Sequence, residues 1–285
     1  MPRAPRAQNI PGVRHVFAVA SGKGGVGKST VAVNLAAALS AQGLSVGVLD
    51  ADVYGPSLPT MLGLSGQPAY EDGAIVPHEA HGLKAMSVGL LTKADDAMIW
   101  RGPMASQAIT QMLGQTRWGT AETPLDVLVV DLPPGTGDVQ LTLIQKTPLD
   151  GAVIVTTPQD IALLDAKKGL KMFEKVGIPV MGVVENMAWL ETTCPHCDQT
   201  HKVELFGAGG GDKVANVLAE RLGYDVPMLA QIPIDTTLRE GGDAGTPIVA
   251  SHPDHPAAQA LVELAKKVDG RKRGLAGKRL DLNPS

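Results

Sequence analysis

Gly22-Lys23-Gly24-Gly25-Val26-Gly27-Lys28-Ser29-Thr30 fits the phosphate-loop pattern G-x-x-x-x-G-K-[ST], with an extra lysine directly after the first glycine. The chemistry of that spacing is triphosphate binding. A glycine-rich turn lets successive backbone N–H groups converge on phosphate oxygens, and the dipole of a following helix favours the negative charge. Lys28 is placed to reach the β- and γ-phosphates, and the Ser29 hydroxyl to complete the shell of a magnesium ion. Two acidic segments can serve the same centre. Leu49-Asp50-Ala51-Asp52 closes an apolar run, and Asp52 is the candidate to orient an attacking water. Val127-Leu128-Val129-Val130-Asp131 is a second apolar run ending in an acid, the form of a Walker B motif, so Asp131 is expected to hold the magnesium directly or through water. After it comes Leu132-Pro133-Pro134-Gly135-Thr136-Gly137-Asp138. Prolines fix its path and glycines permit a backbone flip, which suits a segment ordered by the γ-phosphate and released on hydrolysis.

Cys194 and Cys197 are the only two cysteines and are separated by Pro195-His196. Two thiolates at this spacing can grip one metal, yet they fill only half of a tetrahedral shell. A two-fold dimer would bring two such pairs together, and four thiolates suit zinc or an iron–sulfur cluster. Three other readings stay open. His196 and His201 could complete a zinc site within one chain, the pair could be a redox dithiol, or it could bind nothing. The redox reading asks for a helix N-terminus to lower a thiol pKa, and the sequence does not offer one there.

These residues need a scaffold that brings them to one edge. Apolar runs at Val13–Ala20, Ser45–Leu49, Val127–Asp131, Ala152–Thr156, Val180–Glu185 and Met228–Ile232 read as strands. Helical patterns lie between them at Lys28–Gln42, Met104–Gln115, Val139–Lys146, Ile161–Val176, Ala208–Leu222 and Pro256–Val268. The alternation predicts an α/β fold with a doubly wound, mostly parallel sheet, whose strand ends present the acids and the phosphate loop. Ala69–Val88, with its turn at Glu71-Asp72-Gly73, reads as a short β excursion, and CxxC as a loop after the strand ending near Glu185. Residues 1–12 are expected to form an arm, 13–269 the domain, and 270–285 a basic, disordered tail.

The 285 residues are 44% hydrophobic but only 3% aromatic, so alanine, valine and leucine must fill the core. A net charge of −4 provides no bulk attraction for nucleic acid. No apolar run approaches the roughly 20 residues that span a bilayer, and the first residues lack the apolar core of a signal peptide. The composition predicts a soluble, cytoplasmic protein that binds neither nucleic acid nor membrane.

Taken together, the glycine loop, Asp50–Ser57 (DADVYGPS), Trp100–Met104 (WRGPM), Asp131–Asp138, Thr156–Gly169 (TTPQDIALLDAKKG), Glu185-Asn186-Met187 followed by Cys194–Cys197, Ile232–Asp235 and Leu238–Gly245 resemble the Mrp/ApbC family of iron–sulfur cluster carrier ATPases. These are relatives of the MinD/ParA group of deviant Walker A proteins. The resemblance runs from about Pro11 to about Val268, and it implies the P-loop NTPase fold, slow ATP hydrolysis, and cofactors ATP, Mg2+ and a [4Fe–4S] cluster. It implies a homodimer in which Lys23 reaches across to the partner's nucleotide, as an arginine finger does. It places Asn186 on the adenine and the Ile232–Asp235 segment, with Pro233 and Asp235, along the base pocket. The cluster would bridge Cys194 and Cys197 of two copies and pass to apo iron–sulfur proteins. Arg101 and Asp165 also match family positions, where an ion pair is the plain expectation. Many bacterial members carry a small α+β domain before the ATPase, whereas here residues 1–12 precede the first strand, so the resemblance does not extend to contacts made through that domain.

Two further functions compete. A positioning ATPase of the MinD/ParA kind, with CxxC as a structural zinc clasp, would bind DNA, for which the sequence shows no strongly basic face, or membrane, for which the chain should end in an amphipathic helix. The glycine-interrupted tail, with Leu275 and Leu280 as its large apolar residues, supports such a helix poorly. A metabolic kinase or ligase would need a small-molecule acceptor site, and no motif marks one.

Overall fold

A computed structural model describes residues 9–91, 102–135, 137–159, 173–174 and 176–275. In chain order the main elements begin with β1 (Val13–Ala20), α1 (Lys28–Ala41), β2 (Val46–Asp50) and α2 (Leu58–Met61). A small hairpin of β3 (Tyr70–Glu71) and β4 (Ala74–Ile75) precedes β5 (His78–Ala80) and β6 (Leu83–Ser87). Next come α3 (Gly102–Gln115), β7 (Leu125–Asp131), α4 (Asp138–Lys146) and β8 (Gly151–Thr156). The remainder is β9 (Val180–Thr193), β10 (Thr200–Val203), α5 (Gly210–Leu222), β11 (Met228–Ile234), α6 (Thr236–Asp243), α7 (Ile248–Ser251) and α8 (Pro256–Leu275).

Nine strands form one sheet in the order β10-β9-β8-β1-β7-β2-β6-β5, with β11 also on β9. The pairings are parallel except β5 with β6 and β10 with β9. Period-two alternation sends successive side chains to opposite faces. In β1, Val16, Ala18 and Ala20 join one core while Phe17 and Val19 join the other. The first core is closed by Ile109 and Met112 of α3, Leu143 of α4 and Leu218 of α5. The second is closed by α1 and by Leu261, Leu264 and Val268 of α8. Helix α1 is buried from Val31 to Leu39 because the sheet takes one side and α8 the other. The doubly wound parallel sheet is therefore the observed fold.

Three expectations need correction. The Ala69–Val88 segment is more than an excursion, since β6 pairs in parallel with β2 inside the main sheet and β5 forms its edge. The 180s strand does not stop at Glu185. It continues to Thr193, because Glu185 and Asn186 are buried with hydrogen-bond partners rather than turned out to water. The basic tail does not start at Gly270, because α8 continues to Leu275. Most of the helix expected at Ile161–Val176 lies outside the described residues, as do Thr136, Arg101 and Asp165. Among the described residues, no helix is long and apolar enough to cross a membrane.

Candidate nucleotide site and cysteine hairpin

Register alone brings the acids to the phosphate loop. β7 lies between β1 and β2, and Asp131 is the partner of both Val19 and Asp50. The three parallel strands thus end together, and the segment after β1 turns over the ends of the other two. Gly27, at the N-cap of α1, has φ of 79°, and a Cβ there would overlap the amide nitrogen of Asn186.

Inside the loop Lys28 donates to Asp131 Oδ1 at 2.6 Å and the Ser29 hydroxyl donates to Asp131 Oδ2 at 2.5 Å. Lys28 Nζ also stands 3.8 Å from Asp52 Oδ2. Lys28 is 6% exposed and Asp131 fully buried. Burial pushes the Asp131 carboxyl up, and the Lys28 charge and its hydrogen bond oppose that rise. Asp52 Oδ1 accepts N–H bonds from Tyr54 and Gly55, which fixes the carboxylate while its other oxygen faces Lys28. The Pro/Gly segment after β7 is tied to the loop's first turn, where the Gly135 N–H donates to the Ser21 carbonyl at 3.1 Å.

Asp50 is a residue whose role the sequence reading missed. Its carboxylate accepts from the backbone N–H groups of Asp52, Ser57 and Leu58 and from the Ser87 hydroxyl. It therefore fastens both ends of the Asp52 loop. Burial first, and then the neighbouring Asp131 charge, push its pKa up to about 7. The sequence signal was the D-x-D pair, of which only the second acid had been given work.

A cavity of about 760 Å3 opens over the loop. Lys23, Gly24, Gly25, Gly27, Lys28, Ser29 and Thr30 line it together with Asp52, whereas Gly22 and Val26 are not among the lining residues. Val26 is instead buried in the core beneath. Asn186, Met187, Pro233, Asp235 and Arg239 also line the cavity. Asn186 Nδ2 donates to the Val26 carbonyl at 2.9 Å, so this amide holds the phosphate loop to β9. Asp235 caps α6, accepting the Leu238 N–H at 2.8 Å. Lys23 donates to the side-chain oxygen of Gln159 at 2.9 Å, a partner the sequence did not announce.

The cysteines stand in a loop, as expected, but it is the turn at the tip of a hairpin whose first strand runs on past Glu185. β9 leaves the core after Ala188, and β10 pairs back on it from Val203↔Leu190 to Thr200↔Thr193. At the tip the Cys194 N–H donates to the Gln199 carbonyl, and the Asp198 N–H to the Cys194 carbonyl, each at 2.9 Å. Trp189 lies under Lys202 at 3.9 Å, a cation–π contact across the hairpin. Eight positions separate Asn186 from Cys194 along β9, which at ~3.3 Å per residue carries the thiols about 25 Å from the loop contact. The Cys194 thiol is held below its usual range, first by the His196 N–H and then by the thiol and N–H of Cys197. The turn supplies the donors for which a helix N-terminus had been sought. Among the described residues no group of three or more His, Cys, Asp or Glu is placed to hold a metal. His196 and His201 thus do not complete a site with the two thiols in one chain.

The base of β9, from which the hairpin extends, is tied to the phosphate loop on one side and to α5 and β11 on the other. Asn186 holds Val26, and Glu185 Oε2 accepts the Gly211 N–H at 2.5 Å while Oε1 accepts from Gln231 at 2.8 Å. A Cβ at Gly210 would overlap the Pro158 carbonyl, one residue before Gln159.

Residues 12–269 match the family model described as ParA, NUBPL iron-transfer P-loop NTPase. The chain belongs to this family. It is 53% identical over 268 residues to an iron–sulfur cluster carrier protein of Haemophilus influenzae, an alignment covering 92% of this chain and 69% of that relative. Among solved structures it is similar to a nucleotide-binding protein from Archaeoglobus fulgidus in complex with ADP. That match has 38% identity and a TM-score of 0.67 over 82% of this chain and 87% of the other. The cell division ATPase MinD of Pyrococcus furiosus shares the fold, at 22% identity and a TM-score of 0.66 over 90% and 99% of the two chains. The convergence of Lys28, Ser29, Asp52 and Asp131 thus lies at the phosphate loop of a chain that belongs to this P-loop NTPase family.

Proposed function

We propose that this chain is an ATP-hydrolysing iron–sulfur cluster carrier that binds a [4Fe–4S] cluster between two copies of itself and passes it to apo-proteins. The observation that carries the reading is the hairpin tip. It presents two thiols, one half-buried and one exposed, and no third ligand stands beside them among the described residues. Two pairs related by a two-fold axis supply four thiolates, the set that iron–sulfur clusters take. The N–H groups that favour the Cys194 thiolate serve the same end, because the thiolate is the ligand form. An exposed tip also leaves the cargo within reach of an acceptor.

At the nucleotide end, loop N–H groups and Lys28 hold the phosphates, and Asp52 orients the attacking water. Lys23 offers its ammonium to the partner's nucleotide. Ser29 Oγ and Asp131 Oδ2 meet as hard oxygen donors, the kind a magnesium ion takes. Bound there, magnesium would neutralise charge on the β- and γ-phosphates. Pro233 and Asp235, which line the cavity, would flank the base, and Asn186 reaches the adenine only with whatever valence its bond to Val26 leaves free. Because Asn186 ties the base of β9 to the phosphate loop, ATP binding alters how the cluster is held, and by linkage the cluster alters ATP affinity equally.

The test is metal analysis after anaerobic reconstitution, with the absorption spectrum. About two irons and two sulfides per chain are expected, as one shared four-iron cluster requires, and Cys197→Ser should remove them while ATP binding persists. Chelator-resistant zinc at the same cysteines would refute the reading and leave a positioning ATPase with a structural clasp.

A further inference from the structure

Lys23 occupies an unusual place for a group meant to act on another molecule's phosphates. Its backbone is pinned, since its carbonyl accepts the Ser21 hydroxyl at 2.8 Å. Only the side chain is left to move. That side chain is half-buried and donates to Gln159 Oε1 at 2.9 Å, so the ammonium rests on its own subunit. The resting partner is a neutral amide oxygen rather than a carboxylate. Gln159 lies just beyond the C-terminal end of β8, the strand beside β1, and so at the sheet edge where the phosphate loop begins.

We propose that Gln159 is a positioning residue for the hydrolysis step, a latch that holds the Lys23 ammonium in its own subunit until a partner's nucleotide takes it over. The inference rests on the reading of Lys23 as a cation for the partner's phosphates. Its physical basis is the strength of the resting bond. A lysine bonded to a neutral amide oxygen lacks the Coulomb attraction between opposite charges that a carboxylate or phosphate oxygen adds. A neutral acceptor orders the lysine yet yields it to phosphate oxygens, which carry full negative charge. A carboxylate at the same place would compete with those phosphates.

The test is steady-state ATP hydrolysis by the full chain in four forms beside the parent: Lys23→Ala, Gln159→Glu, Gln159→Met, and Lys23→Ala with Gln159→Glu. Gln159→Glu should lower kcat about five-fold, the factor that ~1 kcal/mol of stronger hold on a partly exposed lysine produces, with KM for ATP changed less than about two-fold. Screening at about 0.5 M salt should bring that variant back toward the parent measured in the same buffer. Gln159→Met, which keeps the length and removes the acceptor, should leave kcat at or above the parent value. In the Lys23→Ala background Gln159→Glu should have no further effect. An unchanged kcat in Gln159→Glu, or an equal loss with and without Lys23, would overturn the latch and make Gln159 a structural residue. If Lys23→Ala itself hydrolyses ATP as the parent does, the cross-subunit role of Lys23 fails and the latch fails with it. Loss of kcat in Lys23→Ala with no response to Gln159→Glu refutes the latch alone.

Discussion

Replacing Asn186 separates two roles for one amide, loop anchor and adenine contact. Asn186 is 5% exposed, and its Nδ2 donates to the Val26 carbonyl at 2.9 Å. Asn186→Ala removes a neutral hydrogen bond, a net loss of about 1 kcal/mol, and leaves a buried carbonyl without that donor, for a total of about 1–3 kcal/mol. If this anchor alone keeps the phosphate loop competent, apparent affinity falls with the competent fraction, and 1–3 kcal/mol corresponds to a factor between about 5 and 150. The loss should be nearly the same for ATP, ADP and GTP, because it acts on the loop beneath the phosphates and not on the base. Asn186→Asp should be worse than alanine, because a carboxylate oxygen would then face the Val26 carbonyl and the phosphates. Calorimetric titration of each nucleotide, with urea unfolding to measure the stability term separately, decides it. If Asn186→Ala keeps its affinity for triphosphates within about two-fold but loses adenine-over-guanine discrimination, the anchor argument is wrong and the amide serves the base.

Two further outcomes follow from buried groups. The folded pKa of Asp50 is raised from 3.8 to about 7, so the folded chain binds more protons than the unfolded one in that window, and its stability falls as pH rises from about 4 to 7. Chemical denaturation across that range should show the fall, and Asp50→Asn should flatten it; an equal slope in the variant assigns the effect to other groups. Gly210→Ala drives a Cβ into the Pro158 carbonyl, and overpacking against backbone should cost about 1–3 kcal/mol, read as a drop of several degrees in Tm. An unchanged Tm would show that α5 can shift away from that loop without penalty.

Local order made much of the site legible. Lys28 and Ser29 are spaced by the helix they begin, and Asp131 ends an apolar run whose length reports a buried parallel strand. Tertiary partners remained hidden. Gln159 is 136 positions from Lys23, and Asn186 is 160 from Val26. Nothing in the local pattern of either side chain announces its acceptor. β9 was cut short at Glu185 because two polar residues read as the end of an apolar strand. They are buried and satisfied by groups from Gly211, Gln231 and Val26 instead. Asp50 looked like a spare acid until Ser57, Leu58 and Ser87 closed around it.

The sequence by itself determined the element order, the parallel sheet, the phosphate loop with its acids, and the cysteine pair, since each depends on periodicity or on spacing within a few residues. Only the tertiary structure decided that the cysteines ride at the tip of a long hairpin, that Asn186 ties the base of that hairpin to the phosphate loop, and that Lys23 lies against Gln159. Those facts depend on which loops the strand order β9-β8-β1 places side by side at one edge of the sheet. Packing of the helices on both faces selects that order through contacts far apart in sequence.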